Sequence, residues 1–151
     1  LVNVYNGNAG KEGWEKITLA STIGGMVINT AGVTLAHGME HPASGLRDIV
    51  HGKGLAALTP AIIEASYTGN ESKFADIAKL FGGKEAKDLA LKIRELLKSI
   101  NLNCTLSDLG IEEKDIPWMA ENCMKVSAAS VANNPVVFTQ EQIADIYKKA
   151  L

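Results

Sequence analysis

An all-α fold, a helical bundle of about six or seven helices forming one domain over residues 1–151, is predicted from three observations. Apolar residues recur at helical spacing along most of the chain. No stretch shows the alternation of a half-buried strand, and Val136-Val137-Phe138 is too short to count as one. With 46% apolar and 21% charged residues in 151, the chain can bury one core as an ordinary globule.

The elements follow in order. Residues 1–10 are expected to be loop, with turn signals at Asn6-Gly7-Asn8 and Gly10. A helix is predicted from Lys11 to about Leu35. Its twenty uncharged residues, Ile17–Ala36, are long enough to cross a bilayer. Six Ser, Thr and Asn side chains and three glycines inside the run favour instead a central, buried helix of the bundle, and no membrane. Pro42 disfavours helix at His41, so a turn is expected through Ser44, Gly45 and Leu46. A second buried helix is expected from Gly54 to Ser66, with Pro60 allowing a kink, and Thr68-Gly69-Asn70 is a turn. Phe74, Ile77, Ala78 and Phe81 place a helix over Glu71–Phe81, stopped by Gly82-Gly83. One apolar stripe marks Lys84–Ile100. A connector follows to Gly110, then a helix over Glu112–Ala129 with Pro117 in its first turn. Asn133-Asn134-Pro135 breaks the chain, and Thr139 to Gln142 forms a capping box for a last helix.

The net charge of −2 and 5% aromatic content argue against a nucleic-acid or anionic-membrane surface. Cys104 and Cys123, nineteen residues apart, fit no zinc-ribbon spacing and read as buried, reduced thiols of a cytoplasmic protein.

The chemistry concentrates in His37–Gly52. All three histidines, His37, His41 and His51, lie in these sixteen residues. His37 and His41 share a helix face, and His51 can return from the following element, as in metal sites built inside helical bundles. The stretch His37-Gly-Met-Glu40-His41 also matches the inverted zinc-peptidase pattern, with Glu40 as water activator. Pro42 and the idle His51 count against that alternative. Another is a helical binding or interaction module whose histidines do no chemistry.

A third reading uses more of the chain. His37-x3-His41-Pro42 followed by His51-Gly52 resembles the second signature of the iron-containing (group III) alcohol dehydrogenases. The likeness extends to Trp14–Ala36, to Gly52–Pro60, to Phe74–Gly82 and to Asn134–Tyr147. Val50, where many relatives have Pro, is a departure that removes no functional group.

The resemblance implies the all-helical C-terminal domain of a two-domain oxidoreductase that interconverts a small alcohol and its aldehyde or ketone with NAD or NADP. A divalent metal, Fe2+ or Zn2+, would lie between the domains. His37 and His51 match its last two histidine ligands. His41 matches the residue beside substrate and nicotinamide and is the expected catalytic group, a relay for the hydroxyl proton. The first two ligands, an Asp and a His, and the dinucleotide-binding domain with all cofactor contacts would precede Leu1. The chain is therefore expected to be a fragment, inactive alone, whose partners are the alcohol or aldehyde substrate, its own N-terminal domain and, at full length, a second copy in a homodimer.

Overall fold

The structure, a computed structural model, describes all 151 residues. It is all helical: α1 (Val2–Tyr5), α2 (Lys11–Ala31), α3 (Leu35–Arg47), α4 (His51–Ser66), α5 (Glu71–Leu80), α6 (Asp88–Ser99), α7 (Ile116–Val126), α8 (Ala128–Ala132) and α9 (Gln140–Ala150). Seven of these have ten residues or more, in line with the expected count.

The core is built on α3. Leu35, Met39 and Ala43 recur every four residues and are fully buried. They meet Leu58, Ala61 and Ile62 of α4, Met119, Ala120 and Cys123 of α7, and Ile143, Ile146 and Tyr147 of α9. Gly38 lets α7 and α8 come close, because a Cβ there would stand 3.2 Å from that of Ser130 and 3.3 Å from that of Ser127. Tyr147, fully buried, donates its hydroxyl hydrogen to the Met39 carbonyl. Arg47 closes the far end of α3 with a 2.6 Å ion pair to Asp115 and a 3.0 Å bond to the Gly110 carbonyl. A second polar tie is internal: Asn134 donates to Ser66 Oγ at 3.0 Å.

Several expectations are corrected. The long apolar helix is not central. It ends at Ala31, where Gly32 takes φ +73°, and it meets α3 at 100°. None of its residues is buried. Trp14, Leu19, Ile23, Met26, Val27 and Ile28 are exposed, and its packing within this chain comes mainly from α1. The apolar run thus marks a surface rather than a core. No single helix is long and apolar enough to cross a membrane.

Pro42 does not end its helix either. It lies inside α3, where it removes the N–H that the Gly38 carbonyl would accept, and the helix continues to Arg47. The turn falls at Asp48, in the left-handed region at φ 52°, instead of at Ser44–Leu46. The next helix consequently begins at His51, three residues before the expected Gly54.

Smaller shifts have local causes. Val2–Tyr5 forms one helical turn within the expected loop. Asp88 accepts from the N–H groups of Lys84 at 2.8 Å and Glu85 at 3.0 Å, so α6 starts four residues late. The helix expected over Glu112–Ala129 is divided into a 3-10 turn at Glu113–Asp115, α7 and α8. The Thr139–Gln142 capping box is present as expected. Cys123 is buried and Cys104 only partly so.

Two outcomes follow from these burials. Desolvation raises the Cys123 thiol from 9.0 to about 11, so in the folded protein a thiol reagent at pH 8 should modify Cys104 and reach Cys123 only on unfolding, as titration with and without urea will show. Tyr147→Phe should lower the urea-unfolding free energy at pH 7 by about 0.5–1.5 kcal/mol through loss of its bond to Met39. Burial, with Cys123 and Glu40 nearby, raises the Tyr147 phenol above 10.0. Above pH 10 the unfolded phenol ionises while the folded one does not, so wild-type stability falls there and the gap to the Phe variant should narrow.

Candidate metal centre

The α3 periodicity that buries Leu35, Met39 and Ala43 places His37, Glu40, His41 and Ser44 on an adjoining strip. The turn at Asp48–Val50 then brings the first residue of α4, His51, against that strip. All three imidazoles meet. The ring centres of His37 and His51 are 5.1 Å apart, those of His41 and His51 5.9 Å, and those of His37 and His41 6.1 Å. His37 is half-buried, whereas His41 and His51 are exposed.

This donor set fits a divalent metal. Two ring nitrogens about 2.0–2.1 Å from one tetrahedral ion put the ring centres roughly 5.2 Å apart. The His37–His51 separation of 5.1 Å agrees with that value, and both pairs involving His41 are wider. Burial, followed by the nearby imidazoles of His51 and His41, holds His37 below its ordinary value of 6.5, against a raising pull from Glu40. A neutral imidazole, the form that ligates, therefore prevails at neutral pH.

Glu40 is the residue that sequence reasoning missed, naming it only as water activator in the disfavoured peptidase alternative. Its side chain is fully buried, with Oε2 paired to Nδ1 of His51 and Oε1 accepting from the Ser44 hydroxyl. Ser44 Oγ also stands 3.0 Å from the Ile49 carbonyl, which closes the turn. The available signal was Gly54, three residues after His51. A Cβ there would come within 2.7 Å of Glu40 Oε1, so the carboxyl occupies the space that the missing side chain leaves.

Donor atoms of Glu40, His41 and His51 lie within 4.8 Å of one another, which makes them a second possible ligand set. Using an oxygen of Glu40 as a ligand would compete with the bond that this oxygen makes to His51 or to Ser44, whereas the His37–His51 pair leaves both intact. The peptidase alternative fares worse. Its two zinc histidines are the widest pair, and its water activator is sealed from solvent. A helical module without chemistry does not account for a buried carboxylate turned onto one of three converging imidazoles.

Comparison with known proteins identifies the family. Residues 1–151 match the family model for the C-terminal region of the Fe-containing alcohol dehydrogenase family. The chain is 36% identical over 144 residues to 1,3-propanediol dehydrogenase of Klebsiella pneumoniae, covering 90% of this chain and 37% of that one. It is 29% identical over 150 residues to lactaldehyde reductase of Escherichia coli K12, covering 93% and 38%. A solved 1,3-propanediol oxidoreductase superposes with a TM-score of 0.75 at 36% identity, over 84% of this chain and 35% of that one. An iron-containing alcohol dehydrogenase from Thermococcus thioreducens gives 0.77 at 29% identity, over 87% and 35%. The chain thus spans a little over a third of the length of the relatives it matches. By sequence over its whole length and by fold, it belongs to the Fe-containing alcohol dehydrogenase family, as that family's C-terminal helical domain.

Proposed function

We propose that this domain is the metal- and substrate-binding half of an NAD(P)-dependent alcohol dehydrogenase that interconverts a small alcohol and its aldehyde or ketone. The observation that carries this reading is the convergence of His37 and His51 at a spacing that suits one metal ion, with His41 beside them. The named substrates of the relatives, 1,3-propanediol and lactaldehyde, support a small hydroxylated substrate.

Each residue has its own task. His37 and His51 would hold the divalent ion, iron or zinc, through neutral imidazoles. When bound, that ion supplies Lewis acidity at the substrate oxygen, and a bound nicotinamide supplies the hydride chemistry. His41, exposed on the same strip, takes the hydroxyl proton of an alcohol at a ring nitrogen and returns it in the reverse direction. No residue of this chain is assigned to the dinucleotide, whose domain is expected upstream. The apolar surface of α2 supports a covering partner, which we assign to that upstream part of the same polypeptide. A homodimer and a cytoplasmic location belong to the same reading.

In the full-length protein, His37→Ala and His51→Ala should each weaken Zn2+ binding in equilibrium dialysis by more than about 100-fold, beyond the usual cost of an outer partner. His41→Ala should keep metal within about threefold but lower kcat for 1,3-propanediol oxidation by roughly 10²–10⁴. Metal loss in His41→Ala with retention in His51→Ala would reverse the assignments. For α2, Leu19→Ser with Met26→Ser should change the urea-unfolding free energy of residues 1–151 by no more than about 0.5 kcal/mol. The same pair should destabilise the full-length protein by about 2 kcal/mol or more.

A further inference from the structure

We infer that Glu40 is a positioning residue for the metal centre, which fixes the His51 ring so that Nε2, and not Nδ1, is the metal-binding nitrogen. The inference rests on the assignment of His51 as a ligand.

Glu40 Oε2 pairs with Nδ1 of His51. An ionised carboxylate only accepts, so Nδ1 carries the hydrogen and Nε2 keeps the lone pair. Held this way, the ring cannot turn over without breaking the bond, and Nε2 is the nitrogen left free of it. The His51 side chain is 51% exposed while Glu40 is fully buried, so the imidazole has an inner, bonded edge and an outer, open one.

The carboxylate is itself held firmly. Ser44 takes Oε1, and the absent side chain at Gly54 provides room that a Cβ at 2.7 Å from Oε1 would close. These three contacts come from both helices of the site, Ser44 on α3 and His51 and Gly54 on α4. Folding alone gives little reason for such a group. A buried charge costs more than an apolar side chain of similar volume unless it is fully paired. One of its two oxygens is spent on the exposed imidazole of the proposed ligand rather than on the protein interior. Orienting a ligand by a carboxylate is the general way in which a histidine tautomer is set for a metal.

The test uses the full-length protein, metal-free and labelled with 15N-histidine, then titrated with Zn2+ alone. Wild type should show His51 as a single Nδ1–H tautomer. Glu40→Gln keeps the shape but offers an amide that satisfies either tautomer. It should give a tautomer mixture and about 10–100-fold weaker zinc binding. Gly54→Ala, which displaces the carboxyl without removing it, should shift both readouts in the same direction. The double variant should bind zinc within about threefold of Glu40→Gln, because both changes break one interaction. If Glu40→Gln does not fold, Gly54→Ala decides alone. A folded variant with an unchanged tautomer and unchanged zinc affinity overturns the inference. Weakened zinc with an unchanged tautomer overturns it too, because Glu40 would then be a ligand itself. His51→Ala separates the two readings: zinc lost there but kept in Glu40→Gln removes only the positioning role, while zinc kept in both removes the ligand assignment beneath it.

Discussion

A carboxylate buried between two consecutive helices sets the geometry on which the rest of this domain depends. Glu40 sits on the seam between the α3 face that enters the core and the α3 strip that carries the histidines. A charge there must be paired or it would oppose folding strongly. Its partners are one turn later on the same helix, Ser44, and the first residue of the next, His51. Satisfying it therefore restricts where α4 begins and how closely it approaches. The left-handed Asp48, the Ser44–Ile49 contact and the bare Cα of Gly54 all serve that single arrangement. Away from it, Tyr147 and Arg47 pin the same helix to α9 and to the segment before α7.

The parts of the fold legible in the sequence were those decided locally. The Thr139–Gln142 box, the stripe from Leu89 to Leu97 and the Asn133–Pro135 break depend on neighbours within one turn, and each lies where its signal put it. Pro42 was misread because its local penalty is real but bounded, about 3 kcal/mol for a helix interior. The burial of Leu35, Met39 and Ala43 on one continuous helix outweighs it. Likewise, the uncharged run of α2 states that a helix is apolar without stating what it packs against. Periodicity holds no information about a neighbour, so surface and centre read alike.

The site was legible to a similar depth. The spacing of His37, His41 and His51 was enough to bring three imidazoles together, because helix period and a short connection dictate it. The role of Glu40 was not. A pattern of five letters offered it as a water activator, within an alternative that Pro42 and the idle His51 already disfavoured, and its complete burial and the wide His37–His41 spacing count against that role. Whether a carboxylate faces solvent or an imidazole depends on the residue three places past His51 lacking a side chain, which is a tertiary fact written in one glycine.

Two deficits of this domain have the same remedy. Helix α2, 21 residues long, exposes six large apolar side chains. Allowing for their being roughly half exposed, covering them would contribute on the order of 5–10 kcal/mol, comparable with the whole net stability of a typical domain. On the proposed assignment the centre offers two imidazoles, His37 and His51, of the four donors a tetrahedral ion takes, with His41 as the group for proton transfer. A segment that docks on α2 and completes the donor set would satisfy both at once. Binding of the ion and docking of that segment would then be linked, since a ligand that binds only the docked state stabilises docking by its own binding free energy. Because α2 runs directly into α3 through Gly32–Thr34, the apolar surface and the histidine strip are joined by three residues, which makes that linkage mechanically short.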